Sequence, residues 1–324
     1  MTTRDRFPAM RLSTPGGALE LHPLEPARPE SDDDVLVRMA YAGVNPVDSY
    51  VRAGTVGDPN LLPRTLGVEG VGESGGQWYV VHGGGIGVAR DGTWAEYVVA
   101  PRDALVPVPA GLDLELAACA GVVGATAVRV TCDLADVTKD DRVLVLGAAG
   151  GVGTAVTSVA LSRGADVWGQ VGDPAKADVV VDGWAEPVVA ATPDELRELV
   201  AGLGITVAFD ALGGGYTGVL VESLAPHGRL ISYGVAAGPR SELPMQALYR
   251  KNITVRGYGG VAEPEERVRS AIGRALDQLA AADMKIPVDR VVPLDRAEEA
   301  LEDLKARRVR GKVLLDTRTV EEWA

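Results

Sequence analysis

Residues 143–153 read Val-Leu-Val-Leu-Gly-Ala-Ala-Gly-Gly-Val-Gly. An apolar run, Val143 to Leu146, stops abruptly at a glycine-rich turn, and behind the turn Thr154 to Arg163 has helical composition. A buried strand feeding a tight turn and then a helix N-terminus gathers backbone N–H groups where the helix dipole favours a phosphate. The spacing is Ala148-x-Gly150-x-x-Gly153, with alanine where a dinucleotide fingerprint usually opens on glycine. Gly150 would let the backbone approach a pyrophosphate, and Gly153 would let the helix close on the sheet. In a chain with 40 glycines the spacing alone would mean little. The strand before it and the helix after it make the match specific.

At 324 residues the chain suits two domains, each able to bury its own core. Its 32 basic and 45 acidic residues give a formal charge of −13, with no basic block. That balance argues against a nucleic-acid or anionic-membrane partner. The two cysteines, Cys119 and Cys132, form no C-x-x-C spacing, which excludes a disulfide scaffold and suits a reducing compartment. No run reaches the roughly 18 apolar residues of a membrane helix. Arg129 and Asp133 interrupt the best candidate, so a cytoplasmic protein is expected.

Residues 1 to about 118 read as short strands (Val35–Met39, Trp78–His82, Trp94–Val99) between Gly- and Pro-rich turns. From about 119 the pattern changes to alternating strand and helix. Strands are expected at Val143–Leu146, Asp166–Gln170, Val179–Val181, Val207–Asp210, Arg229–Tyr233 and Ile253–Tyr258, with helices such as Pro193–Gly202 and Gly215–Leu224 between them. Such alternation implies an α/β fold with a doubly wound parallel sheet. A helix (Pro264–Ala282), a strand (Val288–Pro293), a helix (Arg296–Arg307) and a last strand (Lys312–Asp316) complete the pattern. The expected domains are 1–120, 121–262 and 263–324, the last returning to the first.

The segments Ala42-Gly-Val-Asn-Pro-Val-Asp-Ser-Tyr-Val-Arg-Ala-Gly54 and Leu62-Pro-Arg-Thr-Leu-Gly-Val-Glu-Gly70 closely resemble the quinone oxidoreductase (zeta-crystallin-like) branch of the medium-chain dehydrogenase/reductase superfamily. The glycine turn matches the same branch. So, in order, do Gly124-Ala-Thr-Ala127, Phe209-Asp-Ala-Leu-Gly213, Gly228-Arg-Leu-Ile-Ser-Tyr-Gly234 and Arg310-Gly-Lys-Val-Leu-Leu315, so that the resemblance spans residues 33 to 316. It implies a GroES-like catalytic domain split by a Rossmann domain, and a homodimer formed through the last Rossmann strand, about residues 252–258.

Zinc relatives in this superfamily need Cys and His ligands. Asn45 stands where the first catalytic cysteine would be and Val68 where the histidine would be. Two cysteines outside any ligand spacing, with His22, His82 and His227, assemble neither a catalytic nor a structural site, so no metal is expected. Without a Lewis acid, alcohol oxidation lacks its alkoxide stabiliser. Hydride addition to a small electrophilic acceptor, a quinone or α,β-unsaturated carbonyl, needs none.

The resemblance assigns the site residues. Ala149, Gly150, Gly151, Val152 and Gly153 hold the pyrophosphate. Thr126, Leu212, Tyr233 and Gly234 line the nicotinamide end, Gly234 through its backbone. Asn45 binds the nicotinamide ribose or the acceptor oxygen, and Tyr50 bonds that oxygen or relays a proton. Asp48 and Arg52 read as structural, and His82 as a loop histidine. Gly172, at the end of the second Rossmann strand, replaces the acid that binds an NAD ribose, and Lys176 would neutralise a 2′-phosphate, which favours NADPH while leaving NADH possible. Three features depart from the family: a shortened stretch near Gly75, a missing tyrosine after the third strand (Val181-Asp-Gly183), and little room for a helix between Lys176 and Val179. Two other functions fit the same motifs: an enoyl-thioester reductase, and a non-catalytic NADPH-binding sensor or structural protein.

Overall fold

The first part of the chain forms β1 (Phe7–Leu12), β2 (Leu19–Leu24), β3 (Asp34–Val44), β4 (Arg64–Thr65), β5 (Glu69–Ser74), β6 (Gln77–His82), β7 (Tyr97–Pro101) and β8 (Leu105–Pro107), of which β1 and β5 are buried almost throughout and β7 alternates. The structure, a computed structural model, describes residues 6–25, 28, 29 and 31–320. The β5–β6 connection is a two-residue hairpin, Gly75-Gly76, both at positive φ (62° and 83°), as a type I′ turn requires. That hairpin is the shortened stretch seen in the sequence.

The alternating middle of the chain supplies β9 (Arg142–Leu146), β10 (Asp166–Val171), β11 (Glu186–Val189), β12 (Val207–Asp210), β13 (Arg229–Ser232) and β14 (Thr254–Gly257). All five pairings are parallel, in the order β11-β10-β9-β12-β13-β14. This is the expected doubly wound Rossmann sheet, with β9 beside the point where the winding reverses. The helices between strands carry their own start signals. Thr192 and Glu195 form a capping box at the head of helix Pro193–Val200, with proline in the first turn.

One expected strand is a helix. Val179–Val181 lies within helix Ala177–Asp182, and the third strand of the sheet is Glu186–Val189 instead. Three consecutive valines read as β by propensity. Asp173 and Pro174 start a turn, however, with the Asp173 carboxylate accepting the Ala175 N–H at 2.9 Å. Packing then selects the helical period: Val180 is buried over Gly169 while Val181 is 53% exposed. The helix that the sequence left no room for is therefore present in shortened form. Trp94 likewise precedes its strand, fully buried, with its indole N–H donating to the Gly43 carbonyl at 3.1 Å.

The tail adds helix Glu265–Ala280, strand β15 (Val288–Pro293), helix Ala297–Lys305 and strand β16 (Lys312–Asp316). The seven-stranded sheet then runs β15-β16-β3-β5-β6-β8, with β7 also on β3. By contact the chain divides into two units. One comprises residues up to 125, 264–280 and 288 onward; the other comprises 126–263 and 281–287. Segment 281–287 thus clusters with the second unit, not with the rest of 263–324. The first core gathers Leu12, Leu66, Trp94, Leu294, Leu301 and Leu315, and the second Leu144, Leu146, Leu196, Leu220 and Leu230.

Candidate active site

In the second unit, β9 ends at Gly147 (φ 67°), and Gly150 caps the helix Gly151–Ser162. The N–H groups of that helix's first turn, Gly151, Val152 and Gly153, have no acceptor within the helix. A Cβ on Gly153 would lie 2.3 Å from the Gly147 carbonyl oxygen, so only glycine fits. At Gly150 the nearest atom would be 3.4 Å away, which leaves open space above the turn. Ala149 is buried beneath it. Gln170, which the sequence did not single out, pins the turn: its Oε1 accepts the Gly147 N–H at 3.0 Å, and its Nε2 donates to the Ala190 carbonyl.

Gly172 follows β10, exposed, and Lys176 stands one turn on in the short helix Pro174–Lys176. Asp173, which would repel a phosphate, spends its carboxylate on capping that turn. At the end of β12, buried Asp210 accepts the N–H groups of Leu212 and Gly213 at 2.9 Å and the Thr217 hydroxyl at 2.7 Å. Gly234 comes so near the Ala211 carbonyl that a Cβ would sit 2.7 Å from it. The Tyr233 hydroxyl is buried without a hydrogen-bond partner, and burial pushes its pKa up. Thr126 stands beside the Tyr258 phenol, which burial pushes up in pKa and Thr126 draws down, a proximity that sequence reading missed. Arg129, one turn further, bridges Asp133 (2.5 Å) and Glu263 (2.9 Å).

In the first unit the Asn45 side chain is 2% exposed. Its Nδ2 donates to Glu69 Oε1 at 2.9 Å and its Oδ1 accepts from Lys312 Nζ at 2.5 Å. The amide expected to hold a ribose or an acceptor thus has two internal partners, Glu69 and Lys312. Lys312 Nζ also donates to the Val44 carbonyl at 3.1 Å and to Glu69 Oε1 at 2.5 Å. Asp48 is buried below. Its Oδ2 accepts the Asn45 N–H at 2.8 Å, while Oδ1 faces the Val68 backbone with no hydrogen bond of normal geometry. Burial raises the Asp48 pKa to about 7, against the pull of the Asn45 N–H and Lys312.

Tyr50, on helix Pro46–Arg52, is 43% exposed. Arg52 pairs with Glu298 (2.7 Å) and Glu302 (3.3 Å), a structural role as expected, carried by long-range partners. His82 ends β6 half-buried, its Nδ1 2.8 Å from the Val68 carbonyl. A carbonyl only accepts, so Nδ1 is the donor of this bond. It is a strand-end residue with a fixed ring, not a loop histidine.

A family model described as a zinc-binding dehydrogenase matches residues 175–315, and one described as an alcohol dehydrogenase GroES-like domain matches residues 31–110. The quinone oxidoreductase of Thermus thermophilus, solved also in complex with NADPH, is 31% identical, with a TM-score of 0.82 over 95% of this chain and 99% of that one. Curated quinone oxidoreductases from Pseudomonas aeruginosa (28% identical; 92% of this chain, 95% of that protein) and Sus scrofa (29%; 88% and 89%) match over similar lengths.

Zinc does not fit the donors present. Asn45 is bonded to an ammonium, Val68 has no donor, and burial pushes the Cys119 thiol far above its ordinary range, away from a thiolate ligand. Among the described residues no three His, Cys, Asp or Glu side chains converge as a metal would require. In fold, in the order of its motifs and in its nearly full-length likeness to these proteins, the chain belongs to the quinone oxidoreductase branch of the medium-chain dehydrogenase/reductase superfamily.

Proposed function

We propose that this oxidoreductase binds NADPH and transfers its hydride to a quinone or small α,β-unsaturated carbonyl without a metal ion. The observation that carries this reading is the Lys312–Asn45 hydrogen bond: a protein cation occupies the amide that stands at a metal-ligand position. An acceptor already activated by conjugation needs no Lewis acid. The bound dihydronicotinamide supplies the hydride.

The chain's own residues bind and orient. First-turn amides at Gly151–Gly153 hold the pyrophosphate. Gly172 leaves space for a 2′-phosphate, Lys176 balances its charge, and Asp173 is occupied in its cap. Tyr50 presents a phenol to the acceptor oxygen and supplies the proton that the reduced acceptor takes up. Cys119 and Cys132, neither of them in a disulfide, suit a reducing, cytoplasmic setting. No helix among the described residues is long and apolar enough to cross a membrane.

A homodimer is part of the proposal. Among the described residues β14 pairs on one side only, with β13, and all four of its residues are exposed. Val255 on that strand is 39% exposed, and Met245 and Tyr249 on the preceding helix Met245–Arg250 are 61% and 62% exposed. Such an edge invites a second copy.

The test is NADPH and NADH oxidation by purified protein across quinones, enals, enones and enoyl-CoAs, with elemental analysis of the same sample. Turnover with quinones or enones, preference for NADPH and no stoichiometric zinc are expected. NADPH binding without consumption across the panel would sink the proposal in favour of a sensor, and turnover confined to enoyl-CoAs in favour of a thioester reductase.

A further inference from the structure

A glutamate and a lysine lie together in the interior of the first unit, 0% and 3% exposed at the side chain, and hydride delivery as proposed uses neither. Burying two ions is unfavourable by several kcal/mol each, and an apolar pair of similar volume often gives equal or greater stability. The surroundings are nevertheless shaped to this carboxylate. A Cβ on Gly43 would fall 2.5 Å from Glu69 Oε1, and one on Gly121 would fall 3.0 Å from Oε2. Two glycines thus clear the space that the Glu69 side chain fills.

The carboxylate reaches two segments at once. Through Oε1 it takes the Asn45 amide and the Lys312 ammonium, and so holds the residue that opens the helix carrying Tyr50. Through Oε2 it accepts the Val122 N–H at 2.7 Å. Val122 lies in a π-helical turn, Ala120–Gly124, closed by an i to i+5 bond from the Gly124 N–H to the Cys119 carbonyl. The next residues are Ala125 and Thr126. π turns are rare and cluster at functional sites. Here the irregular turn has a cause: it lowers a backbone amide onto a buried carboxylate through the gap left by Gly121. Lys312 spends all three protons, on Val44, Asn45 and Glu69, so it is a fixed countercharge with no donor left over.

We propose that Glu69, neutralised by Lys312, is a positioning residue of the reaction: one carboxylate anchors both the head of the Tyr50 helix and the π turn that leads to Thr126. This rests on the nicotinamide-dependent reading above, and it places the two segments named for acceptor and cofactor on a single support. The pair acts through Asn45 and Val122 and has no chemical step of its own.

Three variants test it: Lys312→Met, Glu69→Gln/Lys312→Met, and Gly121→Ala, assayed for Tm, NADPH Kd by nucleotide fluorescence, and kcat with the best acceptor. Lys312→Met strands a buried carboxylate and is expected to lower Tm sharply. The double variant removes both charges and is expected to regain most of that Tm while kcat stays about 10- to 100-fold down and Kd barely moves. Gly121→Ala keeps both charges but sets a methyl 3.0 Å from Oε2 and from the His82 Cβ, which shifts the turn against the carboxylate, and a kcat loss in the same direction is expected even if the double variant does not fold. Wild-type kcat in either the double variant or Gly121→Ala overturns the positioning role and leaves the pair merely structural. A fall in NADPH affinity that matches the fall in kcat overturns it too. A wild-type enzyme that consumes no NADPH overturns the functional reading itself, a result visible before any variant is made.

Discussion

Single residues in this protein are decided by what their neighbours leave for them. Gly153 and Gly150 belong to one motif, yet their surroundings differ: 2.3 Å against 3.4 Å from an added Cβ to the Gly147 oxygen. Gly153→Ala should therefore destabilise the fold by about 1–3 kcal/mol, read by urea unfolding, whereas Gly150→Ala should spare stability and weaken NADPH binding in a fluorescence titration. Equal stability losses would remove the distinction. Asp48 gives a pH prediction. Its folded pKa, about 7, lies above the 3.8 of an ordinary aspartate, so the folded state binds the extra proton. Its contribution to stability is then full below the ordinary value and declines as pH rises through the window up to about 7. Asp48→Asn should gain on wild type across that window by up to about 1.4 kcal/mol per pH unit, then run parallel to it. A pH-independent difference would count against the buried, proton-sharing carboxyl. Tyr50→Phe should lower kcat by about 100-fold with NADPH affinity unchanged; full activity would remove Tyr50 from the reaction.

At the scale of elements, the informative cases are those where local preference and packing disagree. The valine run 179–181 prefers strand by composition, but only one face of it meets a core, and that face recurs with helical period. The turns at 120–124 and 129–134 are π-helical, a form that no sequence pattern announces. At least the first answers to a carboxylate from β5. The open edge of β14 predicts association. Val255→Lys places a charge on that edge and should shift the protein from dimer to monomer in size-exclusion chromatography with light scattering, with Rossmann-unit cofactor binding retained. A monomeric wild type would remove the edge as an interface.

For the molecule as a whole, each unit has its own core, and the cofactor cradle belongs to the second. A ligand that binds only the folded cradle stabilises it by mass action, about 2.7 kcal/mol at 100 times Kd. NADPH should thus raise Tm in thermal unfolding more than NADH does at equal concentration, and Gly150→Ala should reduce the gain. The sequence by itself determined the strand–turn–helix at Gly147–Gly153 and the doubly wound, parallel class of its sheet. These are local patterns, fixed by periodicity, turn chemistry and the presence or absence of residue types within a few positions. It passed over the partners of Asn45, namely Glu69 and Lys312, and also Gln170 and Tyr258. Asn45 meets Glu69 across 24 residues, and Glu69 meets Lys312 across 243, so their chemistry exists only once β3, β5 and β16 share a sheet. Only the tertiary structure decided that a buried carboxylate and ammonium stand where the amide seemed free, because burial and hydrogen-bond partnership are properties of the packed interior and leave no trace in residue spacing.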